Sequence, residues 1–294
     1  MKRLARILAV SLLAALSAGP APAAEPDIEE LLYRATRYGN TEQRRAEKEA
    51  AREALFAMGP QALREVMARA HLENVMLQVL AFELVEQRVP AETGAPVLAD
   101  ALASTNATTR RIAAYLLGFY PRAEPQVPAL VAMLNTEAER NAALRTLGKW
   151  KVRAARKPAR ELLRATNERT RIVAVNALRD IGHEDDLPAL IDALADPAVL
   201  VRNAAARAVA EQGWRAHRPL RRAFDDSVGV QRRQIVRLFG VLKPSFVTRD
   251  LLRLLEDEDP GLRDDVVWAL ERIDPYVLRR REITPLQQWP DPSF

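Results

Sequence analysis

The chain has no cysteine, which removes disulfides, thiolate zinc sites, a cysteine nucleophile and a lipidated cysteine anchor together. Glycine is present but never clustered: the nearest two of the 11 glycines, Gly229 and Gly240, lie eleven residues apart. The dinucleotide fingerprint, the phosphate loop and the serine nucleophile elbow all need closer glycines and are excluded. Histidine is limited to His71, His183 and His217. No two of them have the spacing that puts a pair of imidazoles on one helical face for a metal. Paired acids such as Asp185 with Asp186, Asp225 with Asp226, and the run Glu256 to Asp259 fall at turns. There they are expected to cap helices and favour the positive end of the helix dipole instead of serving as acid and base. Neither a metal nor a cofactor is expected.

A long hydrophobic run is also missing. The apolar stretch from Ile7 to Ala18 has 12 residues, against the roughly 20 that cross a bilayer. Lys2, Arg3 and Arg6 precede it, and the small-residue stretch Gly19 to Ala24 follows, with Ala21 and Ala23 in an A-x-A arrangement. This is the layout of a secretory signal peptide over residues 1–24. The expectation is a periplasmic or secreted protein that begins near Ala24 or Glu25 and keeps no transmembrane segment. Leader removal takes three basic residues, so 44 basic against 39 acidic becomes 41 against 39. A basic protein becomes a nearly balanced one. Only six of the basic residues are lysine, and arginine favours planar, multidentate pairing.

What the chain does have is a period. Leu117, Leu147, Leu178, Val209, Leu238 and Leu270 follow one another at steps of 30, 31, 31, 29 and 32 residues. Self-similarity at this spacing marks a solenoid, whose units are too small to bury their own apolar faces and stack on copies of themselves. Seven residues before each marker stands Arg110, Arg140, Arg171, Arg202 or Arg263, with Gln231 followed by Arg232 as the exception. Three and four residues before it are small or apolar positions, as in Ala113 with Ala114, Ala174 with Val175, and Ala205 with Ala206. These offsets share one helical face. Gly118, Gly148, Gly182, Gly213 and Gly240 follow within four positions and are expected just past the helix ends. An earlier helix in each unit is marked by Pro96, Pro128, Pro158, Pro188 and Pro219, 30 to 32 residues apart, because the first helical turn tolerates proline. Asp196 with Pro197, and Asp259 with Pro260, are expected as N-cap and first helical residue.

These residues resemble HEAT repeats, of the short kind found in phycobilisome-lyase-like proteins. The similarity to the pattern V-R-x-x-A-A-x-A-L is close at Val201 to Val209 and at Thr170 to Leu178. The resemblance implies an all-α, right-handed α-α superhelix of about eight helical pairs. It covers residues 95–273 well and residues 25–94 as degenerate repeats, where Lys48, Ala51, Leu55 and Gly59 fit one unit and Leu77, Leu80, Ala81 and Leu84 another. It also implies a charged ladder from an acid six residues before the arginine. Asp196 with Arg202 and Asp257 with Arg263 match, whereas Ser104, Leu134 and Ala165 stand in place of the acid. The iron-binding HEAT-like hydroxylases use several His-Glu pairs, and only His183 with Glu184 is present here. Residues 274–294, with Arg279, Arg280, Arg281, Pro285, Pro290, Pro292 and Trp289, form a tail that either caps the open end of the stack or binds a partner.

In such a stack the second helix of each pair lines the concave side, and positions two and six before the marker point away from the core. Down the array these are Arg111 and Tyr115, Asn141 and Arg145, Ile172 and Asn176, Asn203 and Arg207, Arg232 and Val236, then Asp264 and Trp268. Arginine, tyrosine and tryptophan are enriched in interface hot spots, so Arg111, Tyr115, Asn141, Arg145, Asn176, Asn203, Arg207 and Trp268 are the candidate row for a protein partner. A second candidate surface is the turn edge, with Lys149, Trp150, Lys151 and Arg153 and then Trp214 and Arg215, where basic groups interleaved with an aromatic suit an anionic envelope polymer. His183 to Asp186 interrupts that track, and an exported chain does not meet the chromosome, so nucleic acid is not the expected partner. The reading is an exported scaffold or adaptor without catalysis. Its alternatives are an enzyme or enzyme subunit on a HEAT scaffold, lyase-like or glycosylase-like, and a binder of anionic envelope polymer.

Overall fold

The computed structural model describes residues 27–280 apart from residues 40 and 73. Residues 1–26, where a leader is expected, and residues 281–294, including Trp289, lie outside the described residues. Seventeen α-helices and no strand occur among those described, and no helix there is long and apolar enough to cross a membrane. The helices are α1 Ile28–Thr36, α2 Glu42–Met58, α3 Pro60–Ala68, α4 Val75–Glu83, α5 Ala91–Leu102, α6 Ala107–Leu117, α7 Val127–Met133 and α8 Glu137–Lys149. They continue as α9 Arg156–Leu162, α10 Glu168–Ile181, α11 Leu187–Asp192, α12 Val199–Ala210, α13 His217–Asp226, α14 Gly229–Leu242, α15 Thr248–Arg253, α16 Pro260–Ile273 and α17 Pro275–Arg280. Taken two at a time, α1 to α16 make eight successive pairs, and α17 packs on α16 with Leu278 buried. The chain is an all-α solenoid.

Each second helix packs on the next: α6 on α8, α8 on α10, α10 on α12, and α14 on α16. The six marker residues are all buried, and so are Ala113, Ala114, Ala174, Val175, Ala205 and Ala206 one turn earlier. Pro128 and Pro188 open the short α7 and α11 directly after single 3-10 turns, Glu124–Gln126 and Glu184–Asp186, whereas Pro96, expected in a first turn, lies inside the longer α5.

Several glycines do something other than end helices. Gly182 does stop α10, with φ +68. Gly148 and Gly240 instead lie inside α8 and α14, and Gly118 closes α6 in right-handed helical geometry. Their role is close approach. A Cβ on Gly148 would lie 2.8 Å from the Ala177 Cα, one on Gly118 would lie 2.7 Å from Thr146 Oγ1, and one on Gly240 would strike the Trp268 ring with the Ala269 Cα at 3.0 Å. Sequence pattern alone does not separate a glycine that ends a helix from one that lets a neighbour in.

At four of the six markers the arginine seven residues earlier acts as a clip. Arg110 Nη1 donates to the carbonyls of Ser104 and Thr105, at 2.8 and 3.0 Å. Arg171 does the same to Ala165 and Thr166, Arg202 to Asp196 and Pro197, and Arg263 to Asp257 and Glu258. The groups gripped are backbone oxygens, so Ser104 and Ala165 serve as well as aspartate would. Asp196 pairs with a neighbouring repeat instead, while Asp257 accepts the Asp259 N–H of its own turn. Asp196 receives a bidentate fork from Arg171 at 2.7 and 2.9 Å, and Glu139, buried, pairs with Arg110. Asp259 caps α16 as expected through the Gly261 N–H, but Asp196 does not cap α12, which begins two residues later than expected at Val199. Its carboxylate is spent on Arg171 and on the Ala198 N–H.

Buried acids hold the array in register elsewhere. Asp186, fully buried, takes Arg156 Nε at 2.7 Å and Arg160 Nη1 at 2.9 Å. Asp265, also fully buried, takes Arg233 Nε at 2.7 Å and Arg237 Nε at 2.8 Å. Asp186 is therefore an inter-repeat anchor and not a solvent-facing cap. Removing one side of such a pair leaves an uncompensated buried charge, which costs about 3–5 kcal/mol.

Two outcomes follow for stability. Helix propensity alone favours alanine over glycine by about 1 kcal/mol, but the contact at Ala177 makes Gly148→Ala an overpacking change costing about 1–3 kcal/mol. Urea unfolding should therefore show the variant less stable, and a more stable variant would refute the close-approach role. Burial pushes the Asp196 carboxyl up, but the hydrogen bonds from Arg171 and from the Ala198 N–H outweigh it and hold it below its ordinary 3.8. A depressed carboxyl contributes stability above the unfolded value and loses it as pH falls through the folded one. Asp196→Asn should cost about 1–3 kcal/mol at pH 7, with the gap to wild type closing in acid below the ordinary value.

Candidate functional site

The second helices leave one cavity with both charge and aromatic character. It holds about 370 Å3 and is lined from four of them in succession: Gln78 and Phe82 on α4, Arg111, Ile112, Tyr115 and Leu116 on α6, Ala138, Asn141, Ala142 and Arg145 on α8, and Arg169 and Val173 on α10. Four of the residues expected for the concave row, Arg111, Tyr115, Asn141 and Arg145, thus meet at one place.

The aromatic floor is ordered by edge contacts. Phe119 packs edge-on against Phe82, with centroids 5.1 Å apart, and against Tyr115 at 5.4 Å. Arg145 lies over the Tyr115 ring at 5.1 Å and Lys149 Nζ over the Phe119 ring at 4.1 Å. Such cation–π contacts favour the cation without neutralising it. Lys149 also donates to the Gly118 carbonyl at 3.2 Å. Burial, and then the neighbouring Arg145 charge, lower its ammonium below the ordinary lysine value, with Asp180 opposing. Asn141 Nδ2 donates to Thr170 Oγ1 at 3.1 Å, while its Oδ1 is buried and accepts from no group among the described residues.

The rest of the expected row is dispersed. Asn176 and Asn203 are half-buried and Arg207 is exposed, all on later second helices and outside the cavity. Trp268 is buried, because its ring fills the space that Gly240 leaves, with Arg272 stacked 4.6 Å above it. It belongs to the packing of α14 on α16.

The turn edge changes more. Trp150 is 6% exposed and its Nε1 donates to the Tyr120 carbonyl at 3.0 Å, while Tyr120, one repeat earlier, donates its hydroxyl to the Val89 carbonyl at 2.9 Å. In these two units an aromatic three residues past the marker thus stitches the unit to the one before it. Burial pushes the Tyr120 hydroxyl up to about 12. Trp150 is therefore core and cannot stack on a polymer. Nearby Arg156 and Arg160 are turned to Asp186. Lys149, Lys151, Arg153, Trp214 and Arg215 stay exposed, with Arg215 over the Trp214 ring at 5.7 Å.

Sequence reasoning left out Gln78, Phe82 and Arg169. Gln78 and Phe82 stand six and two residues before Leu84, the same offsets as the rest of the row, so extending the rule into the degenerate repeats finds them. Arg169 lies at another offset and enters only because its helix begins beside the cavity. Among the described residues no cluster of three or more His, Asp and Glu is placed to hold a metal ion.

The family model described as HEAT repeats matches residues 127–210. Among solved structures, the E. coli protein YibA is 15% identical, with a TM-score of 0.52 over 86% of this chain and 94% of that one. The complex of CpcE and CpcF of phycocyanin lyase from Nostoc sp. is 24% identical, with a TM-score of 0.40 over 61% of this chain and 76% of that one. Human deoxyhypusine hydroxylase in complex with glycerol is 17% identical, with a TM-score of 0.34 over 85% of this chain and 97% of that one. No curated protein sequence matches the chain significantly. The likeness to YibA is one of fold.

The two tryptophans of the former edge should now separate cleanly. Trp150→Ala is expected to cost about 3–5 kcal/mol in chemical denaturation, as for a buried aromatic, and Trp214→Ala less than about 0.5 kcal/mol. Equal, small losses would return Trp150 to the surface.

Proposed function

From the premise of a HEAT-repeat solenoid, we propose that this chain is a binding scaffold that holds a protein partner against the face of its second helices and performs no chemistry of its own. The observation that carries the reading is the cavity at Tyr115, where four successive helices bring arginines and aromatic rings together. Arginine and aromatic anchors in a recess are the usual composition of an interface hot spot. The array beyond it, with Asn176, Asn203 and Arg207, supplies a longer contact surface of the kind solenoids use. The amino-terminal pattern of Lys2, Arg3, the apolar run and Ala21 to Ala23 supports a periplasmic or secreted location.

The test is affinity capture from envelope and cytoplasmic fractions of the native host, with mass spectrometry of the bait amino terminus. The bait should begin near Ala24 or Glu25 and carry a stoichiometric protein. That protein should be lost, with helical circular dichroism unchanged, when Arg111, Tyr115 and Arg145 are replaced by alanine. A cytoplasmic bait that begins at Met1, with capture indifferent to the three substitutions, would overturn the proposal.

A further inference from the structure

Arginines at the repeat-to-repeat contacts and arginines at the cavity differ in their partners. On the repeat-to-repeat contacts they meet acids: Arg171 with Asp196, Arg156 and Arg160 with Asp186, Arg233 and Arg237 with Asp265. Around the cavity they do not. Arg111, Arg145 and Arg169 line it together, and neither aspartate nor glutamate is among its lining residues. Three guanidiniums around one recess repel one another and focus a positive potential into it. An occupant that brings carboxylates relieves this, and the planar forks of arginine match carboxylates bidentately.

Charge alone does not describe the recess. Its floor is apolar, made by Phe82, Ile112, Leu116 and Val173 with the Tyr115 ring. A volume of about 370 Å3 corresponds to roughly a dozen waters. It admits a bulky side chain with its immediate neighbours, and not a helix, which is about 10–12 Å across. An apolar floor is filled by a carbon side chain, which a polypeptide carries beside its carboxylates and an anionic polysaccharide or polyphosphate does not.

We infer that the cavity takes an acidic segment of a polypeptide, in which a large aromatic or aliphatic side chain enters the floor and carboxylates beside it in sequence pair with Arg111, Arg145 and Arg169. This rests on the scaffold reading and names the chemistry of the partner at that site.

The test is selection of a phage-displayed random dodecapeptide library on the intact protein, with depletion on the Arg111→Ala, Arg145→Ala, Arg169→Ala variant. The selected peptides should place aspartate or glutamate within two residues of an aromatic or large aliphatic residue. In fluorescence anisotropy, changing that apolar residue to alanine, or the acids to their amides, should each raise Kd by about tenfold or more. Arg145→Glu should do the same, whereas Arg249→Ala, on the first helix α15, should not. Selected peptides without acids, or without a large apolar residue, overturn the inference, as does failure to enrich anything over the depleting variant. Displacement by heparin of peptides whose apolar residue can be removed without loss assigns the cavity to anionic polymers and overturns it too. Each of these failures leaves the captured protein of the preceding experiment in place, so the partner chemistry and the scaffold reading fail separately.

Discussion

The close approach of successive second helices is the constraint on which the rest of the molecule depends. Gly148 against Ala177, Gly118 against Thr146 and Gly240 against Trp268 leave no room for a Cβ, and Thr146 Oγ1 spans the gap to donate to the Ala114 carbonyl at 2.6 Å. Once the backbones are this near, Trp150 and Tyr120 reach carbonyls one repeat away. The same approach brings side chains from four helices around one recess. In a solenoid each unit contacts only its neighbours, so stability is a sum over such interfaces and no unit stands alone.

Electrostatics then sorts the two sides of the stack. A buried acid such as Asp186 or Asp265 is costly to desolvate, and two arginines each are present to compensate it. Pairs of this kind add little net stability over an apolar replacement, and here each joins side chains from neighbouring pairs, α9 with the turn before α11 and α14 with α16. Arg111, Arg145 and Arg169 line the cavity with no acid among its lining residues, and the aromatic floor holds Arg145 by its ring face and leaves its fork free. Arginines that fasten the fold and arginines that face outward are therefore different residues, and substitution at the cavity leaves the fastenings untouched.

The sequence period made the architecture legible because a solenoid repeats its local physics. Marker residues and the small residues one turn earlier recur at fixed offsets, as do the prolines of the first helices, though Pro96 lies inside α5 and not in its opening turn, and two degenerate units complete the eight pairs. Four of the cavity residues were legible for the same reason, and Gln78 and Phe82 obey the same offsets in a repeat whose marker, Leu84, is harder to recognise. What was hidden depends on partners across repeats. Trp150 in sequence is an aromatic in a basic turn. Only the position of the Tyr120 carbonyl makes it core. Asp196 has the form of a helix cap, and only the Arg171 side chain 25 residues away explains why it is not one. Trp268 fits the exposed offset, and the missing Cβ of Gly240 draws it inward.

The most direct measurement is site-specific photo-crosslinking in the native host, with a photoreactive phenylalanine analogue at Gln78 or Ala138, which line the cavity, and at Phe246, exposed on the turn before α15. The account predicts one crosslinked protein from the cavity positions, absent from Phe246 and lost when Arg145→Glu is added. Adducts that are the same from all three positions, or that persist with Arg145→Glu, would contradict it.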